Sequence, residues 1–230
     1  MRRRGVLCLL SGTCISLSSS PTPAVASGPA FAAGESGWFA IDGSRQLWHG
    51  AQAAPQRVAG DVVAACIGDG ADYYVRSDGT LWVKGLAHRG QYGDGRLAAG
   101  SDFITTAGEA VAVKAHTGHA IYLRGDGVVL GTGGNRYGQL SSHGLGDKAD
   151  RWGPIFDGAR AIATGSRHSL AIRYDARMWG WGAGFGIEPR MLLEAVLATA
   201  AGHSATLALD AKGALWQWDG GGAPRRLPRQ

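Results

Sequence analysis

The chain has 230 residues, of which 38 are Gly and 8 are Trp, while only 18% are charged and Lys occurs just at Lys84, Lys114, Lys148 and Lys212. This composition excludes a coiled coil or helical bundle and points to many short strands joined by tight turns. The formal charge of +5 overstates the basicity, because Arg2, Arg3 and Arg4 precede every Asp and Glu. The remainder is close to balanced, so composition makes no case for nucleic-acid binding.

Taken in chain order, residues 1–26 read as an export signal. Arg2, Arg3 and Arg4 form a positive start, an apolar stretch runs from Gly5 to about Leu17, and Ala24-Val25-Ala26 is a small-residue cleavage site. Cutting after Ala26 is expected, since the rival site at Ala30-Phe31-Ala32 would sever the first strand described below. The apolar run is too short for a spanning helix, so no integral membrane span is expected. Cys8 and Cys14 fall in this segment, and their spacing does not fit a lipoprotein site. The expected address is secreted or periplasmic. Cys66 would then be the one cysteine of the mature chain, predicted to lie shielded on a strand.

From residue 27 onward the chain repeats. With Trp48, Trp82, Leu130, Trp179 and Trp216 as anchors, five copies agree without a gap over nineteen positions. Nine and seven positions before the anchors stand apolar pairs: Phe39 and Ile41, Tyr73 and Val75, Ile121 and Leu123, Leu170 and Ile172, Leu207 and Leu209. That period of two aims both side chains at one face of a strand. Eighteen before the anchors stand Ala30, Ala64, Ala112, Ala161 and Ala198, on an earlier strand where a small residue allows close packing. Hairpin signals follow the apolar pairs, as at Asp42-Gly43, Asp78-Gly79, Asp126-Gly127 and Lys212-Gly213. Pro-led segments at Pro55, Pro154, Pro189 and Pro224 suggest a fourth, outer strand. Each unit is thus a four-stranded antiparallel sheet. The predicted fold is an all-β propeller of about five blades over residues 27–230, with anchor spacings of 34, 48, 49 and 37 residues in the range of propeller blades.

The third copy reads Gly131-Thr132-Gly133-Gly134-Asn135-Arg136-Tyr137-Gly138-Gln139-Leu140. The fourth reads Ala161-Ile162-Ala163-Thr164-Gly165-Ser166-Arg167-His168-Ser169-Leu170-Ala171-Ile172, then Met178-Trp179-Gly180-Trp181-Gly182. Together these resemble the two halves of the regulator-of-chromosome-condensation repeat, and weaker versions cover essentially the whole mature chain. The resemblance implies a propeller, although members of that family usually have seven blades. It does not carry over nucleotide exchange on a nuclear GTPase, because fold does not transfer activity. An exported bacterial propeller of this repeat type inhibits β-lactamases, so the resemblance permits protein binding outside the cell.

Function is expected on the two long segments, about 86–108 and 134–157. They hold His88, Arg89, Tyr92, Arg96, Arg136, Tyr137, His143, Asp147, Lys148, Arg151 and Trp152. The residue types found at interface hot spots single out Arg89, Tyr92, Arg96, Arg136, Tyr137, Lys148, Arg151 and Trp152 as candidate binding residues. Trp152 is the candidate surface tryptophan, whereas the anchor Trp residues are read as packing. His119 and His168 share one repeat phase, eleven before their anchors, and are read as structural, with no metal expected. No catalytic motif is present. The expected function is therefore protein binding, with no enzyme activity and no cofactor. A glycan or cell-wall lectin, a carbohydrate-active enzyme and a β-lactamase inhibitor are the alternatives.

Overall fold

A computed structural model describes residues 7–9, 13–15, 30–34, 37–51, 53–141 and 146–228. The expected cleavage point after Ala26, and His143, lie outside the described residues. Among those described there are strands and turns but no helix. An antiparallel hairpin comes first, β1 (Leu7–Leu9) with β2 (Thr13–Ile15).

Five antiparallel four-stranded sheets follow, each a simple meander in chain order. The first holds β3 (Ala30–Gly34), β4 (Gly37–Ile41), β5 (Leu47–Gly50) and β6 (Gln56–Ala59). The second holds β7 (Val62–Ile67), β8 (Ala71–Arg76), β9 (Leu81–Gly85) and β10 (Gly100–Ala107). The third holds β11 (Ala110–His116), β12 (His119–Arg124), β13 (Val129–Gly134) and β14 (Lys148–Phe156). The fourth holds β15 (Ala159–Thr164), β16 (His168–Arg173), β17 (Met178–Gly182) and β18 (Gly186–Leu193). The fifth holds β19 (Val196–Ala201), β20 (Ala205–Asp210), β21 (Leu215–Asp219) and β22 (Arg225–Arg226). The innermost strands β3, β7, β11, β15 and β19 follow one another in contact, as propeller blades do around an axis.

The repeat explains the packing. The apolar pair on each second strand, with the residue before the anchor, faces the next sheet; the residues between them face the previous one. Four apolar clusters result, and each straddles one junction. Phe39, Ile41 and Leu47 meet Val62, Ile67 and Tyr74 of the second sheet. Tyr73, Val75 and Leu81 meet Val113 and Tyr122 of the third. Ile121, Leu123 and Val129 meet Ile162 and Ala171 of the fourth. Leu170, Ile172 and Met178 meet Val196 and Ala208 of the fifth. Each such side chain, once fully buried, contributes about 1.5–3 kcal/mol. Small residues at Ala171 and Ala208 let neighbouring sheets approach. The anchor tryptophans are only half-buried, and Trp181 and Trp218, two positions further on, are the fully buried ones.

The hairpins are closed by Asp side chains rather than by two-residue turns. Asp78, Asp126 and Asp175 accept from the backbone N–H two residues on, while Asp42 and Asp210, two positions earlier in turns of the same length, accept from backbone N–H groups two and four residues on and also from the indoles of Trp48 and Trp216, both at 2.9 Å. The left-handed position of all five turns lies three before the anchor. Gly79, Gly127 and Gly213 supply it in three sheets, whereas Arg45 (φ 59°) and Ala176 (φ 64°) hold it in the others.

One expectation needs correction. Part of the two segments expected as long loops is strand: β10 and β14 lie in them, leaving residues 86–99 and the described residues 135–141 and 146–147 outside strands. Outer strands escape a period-two reading because one edge and much of one face meet solvent. In β10 the pattern is further broken by bulges against β9.

Candidate binding face

In a meander blade the first and third turns lie at one end, and the hairpin and inter-blade connections at the other. The first end carries the turns at 68–70, 117–118, 165–167 and 202–204 with the loop at 86–99 and the described residues 135–141 and 146–147. Here four side chains, each thirteen before its anchor in the second to fifth blades, converge near the axis. Thr117 donates its hydroxyl to Asp69 at 2.5 Å, Ser166 lies 3.3 Å from Thr117, and the Ser166 hydroxyl is 2.8 Å from Nδ1 of His203. His116, one position earlier, accepts from the Thr117 backbone N–H at 2.9 Å and lies 3.3 Å from Ser166. Four blades thus contribute to one polar network that no stretch of sequence brings together. Ser166 is 2% exposed, so its hydroxyl is committed to neighbours rather than open to a substrate. Among the described residues no cluster of His, Cys, Asp or Glu has the arrangement of a metal site.

Around this network lie exposed side chains. Arg89 covers Gly118, where an added Cβ would come within 2.9 Å of its guanidinium. Arg167 stacks over Tyr137 at 4.7 Å, and Ile187 packs beside Gly138. Tyr137 is 40% exposed and Ile187 56%. Arg136 is also exposed, so Arg89, Arg136, Arg167, Tyr137 and Ile187 form a cationic, aromatic strip on one face. Arg167 and Ile187 were not singled out from sequence, since neither lies in a long loop.

The other candidates part company with this strip. Tyr92 is 3% exposed, and its hydroxyl donates to the Gly85 carbonyl at 2.9 Å. Trp152, expected at the surface, is instead half-buried: its ring meets Tyr122 edge-on at 4.9 Å and its Nε1 donates to Thr106 at 3.2 Å. Gly93 passes beneath it with φ +72°, and a Cβ there would lie 2.4 Å from the indole. Tyr92 thus joins the apolar cluster between the second and third sheets, and Trp152, on β14 itself, packs against that cluster through Tyr122. Arg96 and Arg151 gather instead at Asp94, on the outer flank; Arg96 Nε is 2.6 Å from the Asp94 carboxylate and Arg151 donates to its carbonyl at 3.4 Å. Lys148 is exposed where β14 begins.

The conserved phase of His119 and His168 is explained by junction hydrogen bonds. His119 Nε2 is 3.2 Å from Ser169 in the next sheet, and His168 Nε2 is 2.9 Å from Thr206 in the one after. Where the histidine position is Ala71, the facing position is Ala120, so the pair is lost together. Burial, aided by the nearby His116, holds the His119 and His168 imidazoles at about 3 and about 4, well below the usual value. The Gly-Gln turns are structural too: Gln91 and Gln139 are buried, and the Gln139 carbonyl accepts from Trp181 at 2.9 Å and Ser169 at 2.8 Å. Cys66 is buried on β7, as expected, and burial pushes its thiol up to about 12.

The opposite end carries a cavity of about 650 Å³ lined by Arg45, Arg76 and Arg124 with Asp78, Glu109 and Asp126. Its charges balance, and Arg124 is already paired with Asp126 and Glu109. No helix of the described residues is long and apolar enough to cross a membrane.

Radial four-stranded meanders with polar turns gathered at one axial end define a β-propeller. Residues 159–185 match the regulator of chromosome condensation (RCC1) repeat, so the chain carries that repeat and has the fold of RCC1-type propellers. Human WBSCR16 superposes with a TM-score of 0.68 at 17% identity, over 88% of this chain and 65% of that one. Yeast RCC1 (Prp20), in its structure bound to Kap60, gives 0.69 at 17% identity over 83% and 55%. Prp20p from Saccharomyces cerevisiae, described with its binding to Gsp1p and histones, gives 0.61 at 16% identity over 76% and 53%. The chain spans between about half and two thirds of the length of these structures. No curated protein matches it.

Proposed function

We propose that this chain is an exported protein-binding module that engages its partner through the axial end carrying the first and third turns. The observation that carries this reading is the exposed strip of Arg89, Arg136, Tyr137, Arg167 and Ile187 beside the polar network. Arg and Tyr are enriched at hot spots, and the Arg167–Tyr137 stack holds both side chains ready at low entropic cost. The cationic character suits an acidic protein surface, where it would raise the association rate. Kap60, Gsp1p and histones are named with the structural neighbours, and that lends support to protein binding by this fold. Binding rather than catalysis is favoured by the burial of Ser166.

The test is affinity capture from the producing cell's envelope and medium. The wild-type chain is compared with a Tyr137→Ala, Arg167→Ala double variant of unchanged thermal stability. A stoichiometric partner captured by the first and lost from the second supports the reading. A partner retained by both moves the site elsewhere, and retention on glycan material alone replaces it with a lectin. Export is tested separately, by finding Ser27 as the N-terminus of protein recovered outside the cytoplasm.

A further inference from the structure

The charges lining the cavity at the hairpin end balance in number but not in pairing. Six positions before the anchor, three blades carry an arginine: Arg76, Arg124 and Arg173. In the third blade, Arg124 donates through Nε to Asp126 at 2.8 Å and lies 3.8 Å from Glu109. In the fourth, Arg173 donates through Nε to the Asp157 carbonyl at 3.2 Å and pairs with the carboxylate of the same residue. In the second, Arg76 lies over the Trp82 ring at 4.9 Å and beside the Tyr74 hydroxyl. Its buried Nε has no acceptor, and among the described residues no carboxylate stands at ion-pairing distance from it.

The local sequence explains the difference. The second-blade counterpart of Asp126 is Asp78, and Thr80 occupies it: the Thr80 hydroxyl and backbone N–H donate to one Asp78 oxygen at 2.7 and 2.9 Å. The third blade has Val128 in place of Thr80, so Asp126 meets only a backbone N–H there and is left for Arg124. Asp61, the counterpart of Glu109, is one methylene shorter. Arg45, from the hairpin of the first blade, is a second cation on the same cavity with no ion pair among the described residues. The cavity lies among the first three hairpins, with Val63, Ala110 and Val111 as its apolar wall. Its volume of about 650 Å³ falls within the range of small-ligand sites.

We propose that this cavity binds the carboxylate of an organic ligand at Arg76 and Arg45. The ligand then gives the second blade the partner that Asp126 and Asp157 give the third and fourth. The repeat selects the chemistry, because both equivalent arginines are matched to a carboxylate, whose two oxygens fit a guanidinium edge. Arg76 is half-buried, so the ligand meets the outer part of its guanidinium. Asp78, Glu109 and Asp126 on the rim disfavour a dianion such as phosphate or sulfate. A small organic acid and a peptide C-terminus both present the required group.

The test is isothermal titration calorimetry on the purified 1–230 chain. Butyrate stands for the small acid and trialanine for the peptide C-terminus, with butyramide, trialanine amide and sulfate beside them. Saturable binding of butyrate or trialanine is expected, at least about tenfold tighter than that of the matching amide and of sulfate. Binding of butyrate assigns the small acid as the source, and binding of trialanine alone assigns the peptide. Arg76→Gln should weaken the interaction about tenfold or more. Thr80→Val should weaken it several-fold while keeping Arg76, since it releases Asp78 to pair with that arginine; this variant decides if Arg76→Gln does not fold. The proposal is overturned by no binding of either acid, by an amide or sulfate binding equally well, or by unchanged affinity in either variant. The cavity lies at the opposite axial end from the cationic strip, and none of these readouts depends on export or on a partner captured there.

Discussion

At the scale of single residues, the repeat tolerates substitutions that its turns do not favour. Ala176 occupies a left-handed position where three other blades use Gly79, Gly127 and Gly213, and its Cβ costs about 1 kcal/mol there. Ala176→Gly is therefore expected to stabilise the protein by about 0.5–1 kcal/mol in urea unfolding, less than the full cost because glycine gains more freedom when unfolded. The junction histidines give a pH dependence. His119 and His168 are held at about 3 and about 4, against about 6.5 in the unfolded chain. Between about pH 6.5 and 4 the unfolded chain binds more protons, so their contribution is fully present above pH 6.5 and is lost as pH falls through that window. Urea midpoints measured from pH 7.5 down to 4.5 should drop, and the slope should flatten in His119→Gln and His168→Gln variants.

At the scale of elements, the outer strands decide which loop residues meet solvent. β10 and β14 draw Tyr92 and Trp152 inward and leave Tyr137 outside, although all three looked alike as loop aromatics. Trp152→Ala is expected to cost about 3 kcal/mol, since it removes a large ring packed on Tyr122 together with the hydrogen bond to Thr106. Tyr137→Ala should lie within about 0.5 kcal/mol of wild type, as for most exposed sites. Denaturant titrations of the two variants check both. The reverse order of costs would place the packed aromatic at 137.

At the scale of the whole molecule, stability is distributed as a series of nearest-neighbour junctions. Leu170 sits at the junction of the fourth and fifth blades with 0% exposure, while its counterpart Leu209 in the fifth blade lies outside the four junction clusters and is half-buried. Leu170→Ala should cost about 2–5 kcal/mol. Leu209→Ala should cost less than half as much, because part of its surface is already in water. Paired urea curves in the 1–230 chain measure the difference, and equal costs would mean that the fifth face is as covered as the rest.

Much of this architecture was legible in the sequence because repetition is itself a one-dimensional signal. Five gapless copies placed Ala64 and Ala112 on inner strands, Tyr73 and Val75 on a core face, and Cys66 in a shielded position. Local chemistry also marked the hairpins, through their Asp and Gly residues. The candidate site was legible only in part. Arg89, Arg136 and Tyr137 could be named from loop position and residue type, but Arg167 and Ile187 could not. Nor could the network of Asp69, Thr117, Ser166 and His203, whose successive members lie 37 to 49 residues apart in sequence. By itself the sequence determined the blade, because strand period and turn chemistry are local properties of the chain. Only the tertiary structure decided which side chains converge on the axis, which aromatics turn inward, and where the ring of junctions stops, because those depend on one blade stacking against another.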